Sequence, residues 1–262
     1  MISPVAVEFG PFTIYWYSVF ILTGIVSGYL LAKPEAKRRG LTLDQLQLSI
    51  FYGVIPGIIG ARLYHVIDQW DRYAQVPSEI LALNHGGLGI LGGLAGGALG
   101  LYVFCRRHRI SFLTLLDVWA PSALLAQAIG RFGNWTNQEA FGPPTDAPWK
   151  IFIEPLNRPA EYAGSAYFHP TFFYEAGLDF IGVAALLLLR PKLRQKPGAV
   201  LGAYLVIYAL GRAIVEFYRF DTAEVFGLAV AHLIAIAMVI LGIWLLRRPT
   251  GITAKARRAK PR

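Results

Sequence analysis

Charge is scarce in this chain. Only 16% of its 262 residues are Asp, Glu, Lys or Arg, while 55% are hydrophobic. That balance excludes a disordered chain and an ordinary soluble domain, and points to a protein that meets lipid. Cysteine occurs once, at Cys105, which excludes an internal disulfide and a cysteine-rich metal site. Acidic residues are outnumbered by Lys and Arg, 16 to 25, for a net charge of +9. The excess falls in short segments between apolar runs and forms no single stripe, so nucleic acid is not an expected partner. A basic n-region and a small-residue cleavage site are also missing ahead of the first apolar run, so the N-terminus reads as retained.

What is present is a series of long apolar runs. Seven of them, near 13–33, 47–67, 86–105, 112–129, 170–190, 198–218 and 226–246, predict transmembrane helices. Lys33, Lys37, Arg38 and Arg39 follow the first span, and Arg106, Arg107 and Arg109 the third. Arg190, Lys192, Arg194 and Lys196 follow the fifth. Arg247, Arg248, Lys255, Arg257, Arg258, Lys260 and Arg262 follow the seventh. These 18 of the 25 basic residues fall on one side, which the positive-inside rule makes the cytoplasm. The expected fold is an all-α polytopic membrane protein of about seven transmembrane helices, with the N-terminus outside and the C-terminus cytoplasmic. Residues 1–12 read as an interfacial arm and 13–129 as spans one to four. Residues 130–169 read as a small outer cap between spans four and five, 170–246 as spans five to seven, and 247–262 as a basic tail.

The other basic residues, Arg62, Arg72, Arg131, Lys150, Arg158, Arg212 and Arg219, lie on the outer side in this topology. Arg62 and Arg212 fall within spans, where a charge is costly and points to function. Several arginines on one leaflet call for an anion such as a phospholipid phosphate; the plainer alternative is local pairing, as of Arg212 with Glu216 one turn on. Tyr208, Arg212 and Glu216 share a helical face, with Arg219 just beyond. Span three is dense in glycine at four-residue spacing, Gly89/Gly93/Gly97 and Gly92/Gly96/Gly100, a pattern for close helix packing.

At the end of span four stands Gly130-Arg131-Phe132-Gly133-Asn134-Trp135-Thr136-Asn137-Gln138-Glu139-Ala140-Phe141-Gly142. It gathers a guanidinium, three carboxamides, a carboxylate and three glycines in what reads as a turn-rich stretch. Arginine offers a donor fork suited to phosphate, and glycine lets backbone N–H groups come close to a ligand. A capped helix end with Arg131 paired to Glu139 is the bland alternative.

This stretch closely resembles the signature of the prolipoprotein diacylglyceryl transferase family. Ile2-Ser3-Pro4, Gly10-Pro11-Phe12, Trp16-Tyr17, Gly60-Ala61-Arg62-Leu63, Pro144-Thr145-Asp146 and Pro148-Trp149 support the resemblance in family order. So do His169-Pro170, Tyr174-Glu175-Ala176 and Arg212 with Glu216-Phe217 and Arg219. One position departs. Where the family often has a histidine in span three, this chain has Leu91, and His85 lies six residues earlier at the mouth of the span.

The resemblance implies a multi-pass enzyme of the bacterial plasma membrane with its site on the outer side. It would move the diacylglyceryl group of phosphatidylglycerol to the thiol of a lipobox cysteine in a prolipoprotein signal peptide. A thioether forms and glycerol phosphate leaves, with no metal or other cofactor. Arg131 and Arg212 are expected on the phosphate, with Asn134, Asn137 and the Gly133 and Gly142 backbone on the headgroup. Tyr208 and Tyr17 are expected to position substrate, Arg62 and Arg219 to bind it, and Glu216 to orient Arg212. Glu139 either orients Arg131 or accepts the thiol proton. A monomer in lipid is the simplest assembly. The rival readings are a family member with lost or altered activity, an intramembrane protease using Ser122 and His232, and a seven-span transporter or receptor using Asp179 and His232.

Overall fold

Helix is what apolar runs of this length form in lipid, because each backbone N–H and C=O needs an internal partner there. The computed structural model describes residues 3–10, 12–83, 86–220, 224–225 and 228–249. Among the described residues, six helices are long and apolar enough to cross a bilayer. They are α1 (Trp16–Arg38), α2 (Leu43–Asp68), α5 (Phe112–Asn137), α6 (Thr171–Leu193), α7 (Ala199–Glu216) and α8 (Val230–Arg247). A short α3 (Trp70–Gln75) follows α2, and α4 (Ile90–His108) occupies the place of the expected third span. The chain is a multi-pass membrane protein, and α4 lies over most of the expected third span without being among those six helices. It starts four residues later than expected, closes on Arg106, Arg107 and His108, and includes Gly92, Gly93, Gly96, Gly97 and Gly100, which add little apolar surface.

The chain divides into two compact units, Met1–Ala32 with Leu116–Arg262, and Lys33–Leu115. In the second, a capping box starts α2: Thr42 Oγ1 accepts the Gln45 N–H, and the Gln45 side chain accepts the Thr42 N–H. The expected glycine packing joins α2 to α4. A Cβ on Gly96 would run into the Pro56 carbonyl, one on Gly92 into Gly60, and one on Gly100 into Tyr52. Glycine is what lets these backbones touch. His85, at the mouth of the expected span, lies outside the described residues.

In the first unit the N-terminal arm is a hairpin, β1 (Val5–Phe9) with β2 (Phe12–Tyr15), longer than the expected 1–12. Gly10 turns it at φ +56°, a conformation that suits glycine. Gly24 and Gly28 of α1 sit against Ala126 and Ser122 of α5, and Gly202 of α7 faces Gly242 of α8. Leu124, Val183, Leu186 and Ala203 form the core between α5, α6 and α7. Asp117, fully buried on α5, accepts the N–H groups of Gly198 and Leu201 at 2.9 Å each. A carboxylate there matches the positive end of α7.

The segment between α5 and α6 has its own small core of Phe141, Ile153, Phe168 and Phe172. It includes a short hairpin, β3 (Ile151–Phe152) with β4 (Tyr167–Phe168). The cap is shorter than the sequence suggests, because α5 runs on through Asn137 and takes in the first eight signature residues as helix. Beyond α8, residues 250–262 of the basic tail lie outside the described residues.

Candidate active site

Because residues 130–137 are helical, Gln127, Arg131 and Asn134 project from one face of α5 at spacings of four and three. Arg131 donates from Nη2 to the carboxylate of Glu175 on α6, and its Nη1 lies 3.5 Å from Asn134 Oδ1. The Asn134 and Asn137 amides in turn donate to Glu139 Oε1 at 3.0 and 3.3 Å. The signature is therefore a network that ends on Arg131, and the carboxylate that holds Arg131 is Glu175. The expected orienting contact from Glu139 to Arg131 gives way to this: Glu139 lies past the helix end, where it meets the two carboxamides instead.

The backbone around Glu139 is held in a costly form. Gln138 and Ala140 have φ of +53° and +55°, a region that disfavours residues with a Cβ. Strain of about 1–3 kcal/mol at each such residue persists only where the surroundings fix it. Here Gln138 Oε1 accepts the Glu154 N–H at 2.7 Å and the Asn157 amide at 3.2 Å. Thr171 Oγ1 donates to the Ala140 carbonyl at 2.7 Å, and the Gly142 N–H donates to His169 O at 2.8 Å. Gln138 thus braces the cap, while Thr171 and His169 fasten the signature to the start of α6.

The glycines take a different part from the one expected. The Gly142 N–H is already bonded to His169, and Gly133 lies inside α5 with the Tyr17 ring where its Cβ would be. Neither presents a spare backbone donor to a headgroup. They admit neighbours at close range, and Gly133 seats Tyr17 beside the site.

On α7, Arg212 pairs with Glu216 at 2.6 Å, one turn on. Tyr208 stacks on Tyr204 with ring centroids 6.0 Å apart, and Tyr204 Oη donates to Gln127 Oε1 at 3.3 Å. Tyr208 is within electrostatic range of Arg131, Arg212, Glu175 and Asp179, so α5, α6 and α7 bring their charged groups to one place. The Glu175 and Glu216 side chains are each 3% exposed, whereas Arg131 and Arg212 are 22% and 21% exposed. Buried carboxylates hold both arginines, whose side chains keep some exposure, while Arg212 Nη1 is buried with no hydrogen-bond partner among the described residues. Arg219 is half-buried just past the end of α7.

Arg62 is not such a residue. It is 6% exposed and donates to the carbonyls of Glu79, Ile80, Ala82, Gly86 and Gly87. Five backbone acceptors occupy its fork, so it clamps the segment before α4 and is not set to hold an anion. Glu175 is the residue the site needs and sequence reasoning did not assign. Its signal was the Tyr174-Glu175 pair placed early in an apolar helix, where a carboxylate requires a cation.

The sequence model of the prolipoprotein diacylglyceryl transferase family matches residues 4–248. The chain belongs to this family. A phosphatidylglycerol–prolipoprotein diacylglyceryl transferase of Gloeobacter violaceus is 42% identical over 253 residues, covering 94% of this chain and 93% of the relative. Proteins of the same description from Halalkalibacterium halodurans and Bacillus cereus are 40% and 41% identical, covering 97% and 91% of this chain and 91% and 89% of their own lengths. The match runs from the N-terminal hairpin through α8 and includes every residue of the network around Arg131 and Arg212.

Proposed function

We propose that this protein transfers the diacylglyceryl group of phosphatidylglycerol to the thiol of a lipobox cysteine in a prolipoprotein, releasing glycerol phosphate. The observation that carries the reading is the pair of arginines, Arg131 and Arg212, each about a fifth exposed and each backed by a buried carboxylate. Fixed cations in a dry site suit the charge that grows on the leaving phosphate, and they need not reorganise as it forms. Arg131 and Arg212 take the phosphate oxygens. Asn134 and Asn137, steadied by Glu139, face the glycerol headgroup. Glu216 orients Arg212, Tyr208 and Tyr17 position the lipid against the thiol, and Arg219 adds positive charge at the end of α7.

The attacking group is the substrate thiolate, because the thiol itself is a poor nucleophile. Leu91 offers no proton acceptor, so the thiol proton goes to other groups. The basic segments after α1, α4, α6 and α8 support a bacterial plasma-membrane protein with its site on the outer face and its C-terminus in the cytoplasm. A monomer suffices for this chemistry, since both arginines come from one chain.

The test is purified protein with phosphatidylglycerol and a synthetic lipobox peptide, read by mass spectrometry. A diacylglyceryl adduct on the peptide, absent with a Cys→Ser peptide, is the expected result. An unmodified peptide beside folded, lipid-binding protein would refute the reading.

A further inference from the structure

α6 carries a second acid one turn beyond Glu175. Asp179 is 4% exposed and on the same helical face, and its Oδ2 is buried with no hydrogen-bond partner among the described residues. The charged and titratable groups in its range are Glu175 on α6, Arg131 on α5, and Tyr204 and Tyr208 on α7. Arg131 is the one cation among these, and its ion pair goes to Glu175. Arg212 is engaged by Glu216. Two buried acids therefore face a single guanidinium. In a low-dielectric interior a second negative charge beside one guanidinium is costly, and neighbouring buried carboxylates can meet that cost by sharing one proton.

We propose that Glu175 and Asp179 are a proton-sharing pair that takes up the proton of the substrate thiol as Arg131 passes from carboxylate to phosphate. The inference rests on the transferase reading above. In the step, the S–H bond breaks and its proton goes to the singly protonated pair. The sulfur forms a bond to the terminal glycerol carbon of the diacylglyceryl group, and the C–O bond to phosphate breaks, its electrons leaving with the phosphate. The pair goes from one negative charge to none while the phosphate goes from one to two. Arg131 loses its ionic hold on Glu175 at the moment when the leaving group calls for a cation. Asp179 acts through Glu175 and Arg131, and is a positioning residue.

The experiment compares wild type with Asp179→Asn and Asp179→Glu in the phosphatidylglycerol and lipobox-peptide assay between about pH 6 and 9. Asp179→Asn is expected to lower kcat at least tenfold at pH 7 and to change KM for phosphatidylglycerol less than twofold. The deficit narrows as the pH approaches the ordinary thiol value of about 8.5, where the thiol ionises without help. Asp179→Glu retains most of kcat. A loss of the same factor at every pH, or a loss carried by KM, would overturn the proposal.

Infrared difference spectra of the wild type, with and without isotopically labelled aspartate and glutamate, supply a readout independent of turnover and of whether a variant folds. A protonated carboxyl band at neutral pH that moves with the label supports the pair, and its absence overturns it. No adduct from wild type in the presence of that band would overturn the transferase reading and with it the proton uptake, while leaving the shared proton in place.

Discussion

Replacing Arg131 by lysine separates charge from geometry at the centre of the site. Arg131 meets Glu175 through one nitrogen and reaches toward Asn134 with another, while about a fifth of the side chain stays exposed. A lysine ammonium is a single point charge on a flexible stem. It can bring its charge to the phosphate, but not the paired, planar donors of a guanidinium. The variant therefore forfeits about one charge-assisted hydrogen bond in the transition state, worth roughly 1.5–3 kcal/mol. At 1.36 kcal/mol per decade this is roughly a 10- to 150-fold loss in kcat/KM. Stability should change little, because the buried Glu175 keeps a cation. Arg131→Ala differs: it leaves the buried Glu175 without its cation, which costs about 3–5 kcal/mol of folding stability. The lipobox-peptide assay and thermal unfolding in detergent measure the two effects. Lysine turnover within threefold of wild type would refute the fork argument, and an alanine variant as stable as wild type would refute the pairing.

Arg62→Lys should behave in the opposite way. Several carbonyls before α4 lose their donor, so unfolding should become easier by about 2 kcal/mol or more while turnover per folded molecule stays within twofold; a large fall in kcat with stability intact would return Arg62 to the substrate. Gly133→Ala places a methyl in the Tyr17 ring, with overpacking of about 1–3 kcal/mol, and should raise KM for phosphatidylglycerol. Truncation at Tyr17 in that background should recover the lost stability, as a double-mutant cycle would show. Gly96→Val drives a side chain into the Pro56 carbonyl and should lower the yield of folded protein, whereas Gly86→Ala, with open space around its Cβ, should be penalised only for its φ of +76°.

Much of the fold is legible in composition because lipid simplifies the problem. A segment with no water to bond must be helical, so apolar length alone located α1, α2, α5, α6, α7 and α8. The same rule misjudges ends, since a polar residue in water can still be helical. α5 continues eight residues past the end of the continuous apolar run, at Ile129, because Arg131, Asn134 and Asn137 find partners along one face. At α4 the signal is of another kind: its glycines serve packing against α2 and contribute little apolar surface. The four-residue glycine spacing announces close packing, but it does not say that α2 is the partner.

The site divides along a similar line. Pairs close in sequence, such as Arg212 with Glu216, can be read from helical spacing, and the two agree in the structure at 2.6 Å. Arg131 has a nearby acid too, Glu139, yet its partner is Glu175, 44 residues away. The difference is burial. Glu139 lies in the cap with two carboxamides beside it, and a carboxylate there keeps other donors. Glu175 sits inside an apolar bundle where ionisation without a cation is costly, so it takes the guanidinium that α5 brings to it. A buried acid needs a cation or a set of donors, Glu175 finding Arg131 and Asp117 the start of α7, and sequence distance does not decide which. By the same argument Asp179, left without a cation of its own, is where the site can keep a proton.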